Sequence, residues 1–156
     1  MPTKVLMVCL GNICRSPLAE GILQSKLPKQ EYLIDSAGTA NYHVGAPPDK
    51  RSILIAKKFG IDISQQKCRQ ITKSDFETFD HIYVMDTSNY NNVIALAPDE
   101  QSKQKVKVIL YELHATNEFE VPDPYYGEIE DFEQVFHLLD EVCVKIAEKL
   151  NYISIK

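Results

Sequence analysis

Within the segment VCLGNICRSP, Cys9 and Arg15 stand at the two ends of a short run, Leu10, Gly11, Asn12, Ile13 and Cys14. Gly11 and Asn12 are residue types that enter left-handed backbone angles at little cost. A loop of this kind, running into the start of a helix, can curl so that successive backbone N–H groups point inward and form an anion-binding nest. Arg15 adds a planar fork of donors able to hold two phosphoryl oxygens at once. A cysteine at the base of that cradle meets the nest, the helix dipole and the guanidinium, and all three favour thiolate over thiol. Ser16 can donate its hydroxyl proton to the same sulfur. Each piece has a plain alternative: a buried small hydrophobe, two turn residues, a Ser-Pro helix start. Together, in a strand-to-helix setting, they read as a nucleophile inside a phosphate site.

Such a nucleophile needs an acid. Attack on phosphorus expels an alkoxide or phenolate, and a positioned carboxylic acid that protonates it contributes about 10²–10⁴-fold. The chain has 22 acidic residues, so residue type alone selects none. Asp123 stands out because VPDPYYG brackets it with Pro122 and Pro124, which restrict the backbone. As carboxylate, the same residue can then activate water against a phosphocysteine. An ordinary aspartate in a proline-rich turn is the alternative. Tyr125 and Tyr126 follow directly, and Tyr42 lies in TANYHVG. Their faces can wall a slot for a phosphorylated aromatic ring, or pack half-buried as tyrosines commonly do.

Secondary-structure signals place these residues. Val5 to Cys9 is a continuous apolar run, as expected of a strand covered on both faces. A helix follows, with Ser16 as its cap, Pro17 at its first position, and Leu18, Ala19, Ile22, Leu23 and Leu27 on one face. Strands are expected at 32–36, 81–85 and 106–111. Asp49 can cap a helix that Gly60 stops, and the apolar spacing from Phe132 to Leu150 predicts a helix of about five turns. Strands alternating with helices imply an α/β fold, a doubly wound parallel sheet with helices on both faces, whose ligands bind beyond the carboxyl ends of the strands. Cys9 stands at one such end.

With 156 residues, 44% of them hydrophobic and 25% charged, and with no linker or repeat, the chain is expected to form one domain, residues 1–156. A domain of this size buries enough surface to need no covalent staples, so its four cysteines are not expected to form a disulfide scaffold and suit a reducing compartment. The opening apolar run is too short for a signal peptide, and no stretch approaches the roughly 20 apolar residues of a membrane span. A cytoplasmic protein acting away from membranes is expected. The net charge of −5 argues against nucleic acid as the partner. His43, His81, His114 and His137 show no ligand spacing, so solvated or packing histidines are expected, with no metal or other cofactor.

VCLGNICRSP together with DPYYG at 123–127 resembles the low-molecular-weight protein tyrosine phosphatases. The resemblance continues through DSAGT at 35–39, RQITKSDFETFD at 69–80 and MDTSN at 85–89. It implies a four-stranded parallel sheet and metal-free hydrolysis of phosphotyrosine proteins and small aryl phosphates through a cysteinyl-phosphate. Cys9 would be nucleophile, Arg15 phosphate clamp and Asp123 general acid, with inorganic phosphate or a similar oxyanion in the loop. Asn12 and Ser16 would support the loop, and Asp86 either orients Arg15 or merely caps a helix. Cys14 either captures an oxidised Cys9 as a disulfide or packs the loop; Cys143 falls on the apolar stripe of the last helix, and Cys68 has no evident role. Many relatives carry tryptophan near Tyr42 and histidine where this chain has Gln66, which bears on the rim and on a contact to the loop serine.

Three rival functions share parts of this pattern. Related protein arginine phosphatases have threonine in place of Ile13, and isoleucine can neither donate nor accept a hydrogen bond. Arsenate reductases relay a disulfide through further cysteines roughly around the helix after the third strand, and residues 86 to 105 contain none. A non-catalytic phosphate-binding module would be expected to have lost Cys9, Arg15 or Asp123.

Overall fold

In the computed structural model, which describes residues 2–113 and 120–155, strands and helices alternate along the chain. Strand β1 spans Thr3–Cys9, helix α1 Arg15–Lys26, β2 Tyr32–Gly38 and α2 Lys50–Lys58. A single turn, α3 (Asp75–Thr78), precedes β3 (His81–Val84), and α4 (Thr87–Leu96) and α5 (Glu100–Gln104) lead to β4 (Val106–Val108). A 3-10 turn at Ile109–Leu113 and a final helix, α6 (Ile129–Ile155), complete the described elements.

The four strands are all parallel, in the order β2-β1-β3-β4, so β1 lies inside the sheet. Its continuous apolar run follows from that position, because alternate residues enter opposite layers. Val5, Met7 and Cys9 join the core formed with α1, α2 and α6, while Leu6 and Val8 join the one formed with α3 and α4. This is the doubly wound α/β sheet expected, and α6 covers one of its faces with Phe132, Val135, Phe136, Leu139, Val142, Cys143 and Ile146. Burial pushes the Cys143 thiol up to about 12, as suits a core residue.

Several local expectations need correction. α1 begins at Arg15; its cap position is Cys14, in a right-handed conformation and with no side-chain cap bond. Ser16 therefore lies within the first turn, with its hydroxyl turned to Cys9 rather than to a helix N–H. Pro17 is tolerated there because first-turn N–H groups have no intrahelical partner. β4 stops at Val108, since Ile109 and Leu110 wind into the 3-10 turn that packs on the α6 side of the sheet. α3 and α5 are too short to leave a periodic signature. By contrast, Asp49 accepts a hydrogen bond from the Arg51 N–H at 2.8 Å, and Gly60 takes a left-handed φ of 83° just after α2.

One glycine lets the first loop close. Gly38 pairs with Cys9 across the sheet, and a Cβ there would stand 2.7 Å from the Leu10 carbonyl oxygen and 3.1 Å from the Gly11 carbonyl carbon. Both neighbours are backbone and cannot swing aside. Gly38→Ala is expected to destabilise the fold by about 1–3 kcal/mol, the usual cost of overpacking, read as a lowered midpoint in urea unfolding.

Candidate active site

Cys9 ends β1, buried, and its Sγ accepts the Asn12 backbone N–H at 3.3 Å with Ser16 Oγ 3.0 Å away. Asn12 turns the loop, at a left-handed φ of 58° that asparagine tolerates better than most residues. Its side chain is held from three sides. Nδ2 donates to Ser16 Oγ (2.8 Å) and to Ser36 Oγ (3.0 Å), and Oδ1 accepts the Arg69 backbone N–H (3.0 Å). With a lone pair of Ser16 Oγ thus engaged, the Ser16 proton is free to donate to the Cys9 sulfur.

Arg15 is buried at 3% exposure, and a buried guanidinium requires partners. Its Nη1 donates to Asp86 Oδ2 at 2.7 Å and to the Val121 carbonyl at 3.0 Å, while Nη2 lies 3.7 Å from Asp123 Oδ2. Burial works against its charge, but Cys9, Asp86 and Asp123 outweigh burial and hold the group more firmly protonated than usual. Asp86 does both things foreseen for it: its other oxygen accepts the Asn89 N–H at 2.7 Å and caps α4. Asp123 is half-exposed, and its Oδ1 accepts the Tyr125 N–H at 3.1 Å, a short turn that fixes its side chain.

A cavity of about 280 Å³ opens above the sulfur, lined by Cys9, Leu10, Gly11, Ile13, Cys14, Arg15, Tyr42, His43, Asp123, Tyr125 and Tyr126. Every residue singled out for loop or rim from the sequence lines it, except Asn12 and Ser16, which lie buried beneath. Tyr126 is 96% exposed and meets Tyr125 edge-on at 4.9 Å between ring centroids. His43, expected to be solvated or packing, stands at the cavity wall against Gly11. Its place beside Tyr42 was the available signal. His81 stacks on Tyr83, His137 lies 3.6 Å from Glu133, and His114 lies outside the described residues. A larger groove of about 860 Å³ between α2 and α6 brings together Leu54, Lys57, Glu133 and His137, far from the cysteine in composition and chemistry.

Asp49, expected only as a helix cap, and Arg51, which the sequence did not single out, join the loop to the segment that carries Asp123. The Asp49 backbone N–H donates to the Ile13 carbonyl at 2.8 Å, and its carboxylate pairs with Arg51 at 2.9 Å. Arg51 then donates to the carbonyls of Tyr125 (2.9 Å) and Gly127 (3.2 Å), with its guanidinium 4.3 Å from the centre of the Phe132 ring. The start of α2 thereby ties the two halves of the cavity together.

The sequence profile of the low molecular weight phosphotyrosine protein phosphatases matches residues 4–153. The chain belongs to this family. It is thus a protein-tyrosine phosphatase by descent, and such enzymes are hydrolases. The family's protein from Saccharomyces cerevisiae is 42% identical over 142 residues, covering 85% of this chain and 86% of its own. A crystal structure of a protein tyrosine phosphatase from Entamoeba histolytica, with Hepes in its active site, superposes with a TM-score of 0.91 at 37% identity over 97% of this chain and 99% of that one. Wzb of Vibrio vulnificus, in complex with benzylphosphonate, gives 0.84 at 29% identity over 94% and 98%. Among the described residues no helix is long and apolar enough to cross a membrane.

In this family member a half-buried acid lies behind the loop. Glu20 Oε1 accepts the Ser36 hydroxyl at 2.7 Å, and Ser36 in turn accepts from Asn12. Gln66 Nε2 donates to the Pro17 carbonyl at 3.1 Å rather than to Ser16, and its buried Oε1 has no hydrogen-bond partner among the described residues. Burial raises the Glu20 carboxyl to about 7, with Asp35 adding to the rise and Ser36 and Arg69 opposing it. Arg69 is already shared between Asp35 and Asp75, both at 3.1 Å. Between its ordinary value of 4.5 and about 7, the folded state keeps a proton that the unfolded chain has released. Stability from this group is therefore complete below the lower value and is lost as pH rises through the upper one. Glu20→Gln should match the parent in thermal unfolding near pH 4 and melt higher than it near pH 8.

Proposed function

We propose that this chain hydrolyses phosphotyrosine in proteins, and small aryl phosphates, through a cysteinyl-phosphate on Cys9. The observation that carries the reading is a sulfur at the cavity floor flanked by the Asn12 N–H and Ser16, with Arg15 and Asp123 converging on the same space. Arg15 Nη2 and the loop N–H groups hold the phosphoryl oxygens as charge develops on them. Cys9 attacks phosphorus as thiolate, the bond from phosphorus to the aryl oxygen breaks, and Asp123 gives that oxygen its proton. Water then attacks the phosphocysteine and gives a proton to the Asp123 carboxylate, the sulfur–phosphorus bond breaks, and inorganic phosphate leaves.

The rim supports an aromatic substrate. Tyr42, Tyr125 and Tyr126 surround a cavity whose floor is the phosphate loop, so a phosphorylated ring enters with its face against theirs. Ile13 lines the wall with an apolar side chain and offers an arginine substrate nothing to bond, which favours phosphotyrosine over phosphoarginine. Phosphotyrosine proteins in the cytoplasm are the proposed substrates, with neither metal nor other cofactor.

Redox control is part of the same proposal. Burial first, then Asp49 and Cys9, push the Cys14 thiol well above its ordinary value, so it stays protonated beside the nucleophile. Peroxide converts the Cys9 thiolate to sulfenic acid, which removes one of the charges acting on Cys14. Condensation of the two then forms a disulfide and releases water. In Cys14→Ser, excess peroxide carries the uncaptured sulfenic acid on to sulfinic acid, which dithiothreitol does not reduce, so this variant should recover less activity than the parent; equal recovery would refute the switch.

The mechanism is tested by two variants assayed with aryl phosphates of graded leaving-group pKa. Cys9→Ser should abolish turnover yet bind inorganic phosphate, and Asp123→Ala should slow poor leaving groups by about 10²–10⁴-fold and good ones far less. Turnover by the serine variant would exclude the covalent intermediate. A higher rate on phosphoarginine than on phosphotyrosine peptides would overturn the substrate.

A further inference from the structure

Cys68 is far from the phosphate loop in sequence and pressed against it in space. It is 4% exposed, and its thiol donates to the Asn12 carbonyl oxygen at 2.7 Å, with the Pro47 carbonyl a more distant neighbour at 3.9 Å. Its backbone is fixed as well: the N–H donates to the Ala46 carbonyl and the carbonyl accepts from the Gly45 N–H, both at 2.8 Å. The thiol is therefore delivered to Asn12 by a pinned segment.

The Asn12 carbonyl shares its peptide plane with the Ile13 N–H. In a trans peptide the two point in opposite directions, and the described chain has no cis bonds. Asn12 is buried beneath the cavity, whereas Gly11 and Ile13 on either side of it line the cavity. Holding the carbonyl down toward Cys68 thus turns the Ile13 N–H up toward the space above the Cys9 sulfur. An unanchored plane could rotate and present its carbonyl, a repelling dipole, to an incoming anion.

We infer that Cys68 is a positioning residue of the phosphate site, its S–H fixing the Asn12–Ile13 peptide so that the Ile13 N–H is aimed at the phosphoryl oxygens. The inference rests on the reading of this loop as a phosphate cradle and adds a residue that touches no substrate. Burial, with Cys9 nearby, pushes the Cys68 thiol up to about 11, so it remains a donor throughout the neutral range. The rest of Asn12 is bonded to Cys9, Ser16, Ser36 and Arg69, which leaves the carbonyl as the one group assigned to Cys68.

Three variants of the full chain separate positioning from packing: Cys68→Ser keeps a donor, while Cys68→Ala and Cys68→Val remove it. Binding of inorganic phosphate, measured by calorimetry, should weaken about 3- to 10-fold in the Ala and Val variants, the range expected for one net hydrogen bond, and stay within about twofold of the parent in the Ser variant. The phosphate-induced shift of the Ile13 amide resonance should shrink in the same order. A purely structural role would lower the melting temperature and leave phosphate affinity unchanged, which would overturn the inference. So would a Ser variant as weak as Ala. Should Val fail to fold, the Ala and Ser pair decides alone. Phosphate binding needs no turnover, so a parent that binds phosphate but hydrolyses no aryl phosphate would defeat the proposed function and leave the role of Cys68 standing.

Discussion

Asn12 adopts a left-handed backbone conformation, and all of its polar groups have partners. The first fact costs conformational energy in most residue types, and the second supplies what keeps the conformation in place. Its N–H reaches the sulfur, its side chain reaches the serine beside the sulfur, and its carbonyl is drawn the other way by Cys68. A loop that must present several N–H groups to one point has to send the matching carbonyls elsewhere. Thr39, Ala40 and Asp49 perform that task with backbone donors for Cys9, Leu10 and Ile13. Asn12 is the position where a side-chain thiol does it.

The second constraint is electrostatic. A guanidinium as buried as Arg15 is tolerated only with compensation, and Asp86 and the Val121 carbonyl, neither of which lines the cavity, supply it. That arrangement keeps Nη2 toward Asp123 and the cavity. Asp123, the acid of the proposed mechanism, is thereby also part of the charge balance around Arg15, while Arg51 holds its segment by two carbonyls. Asp123 and the loop from Cys9 to Arg15 share one frame of reference, the first turn of α2, which is how residues from opposite ends of the chain keep register.

Local pattern carried much of this. The spacing of Cys9 and Arg15, the run through β1, the caps at Asp49 and Asp86, the stop at Gly60 and the stripe along α6 are each properties of a few neighbouring residues, and so they could be read directly. What escaped was set by distant packing. Ser16 has the chemistry of a helix cap and of a thiol partner, and only the location of Cys9 chooses between them. β4 is shortened because Ile109 and Leu110 find a better place against α6 than along the sheet edge. Glu20 and Cys68 lie in no motif, and Ser36 and Arg69 fall in stretches that carried only a resemblance and no role; the parts all four play arise from meeting Asn12 or its partners across the fold. His43 lay within a segment already marked by Tyr42, and was discounted for lack of a metal-ligand spacing it did not need.

The long reach of these bonds has a kinetic side. Ser36, Cys68 and Arg69 must arrive before Asn12 can hold its shape, and Asp86 and Val121 must arrive before Arg15 can be buried. Each of these contacts closes a loop whose entropy has to be overcome first, and a fold that depends on such pairings forms more slowly than one built of local contacts. The decapeptide that names the chemistry cannot shape itself. The loop around Cys9 is therefore a product of the whole fold, since the groups that hold Asn12 and Arg15 in place come from segments spread along nearly its full length.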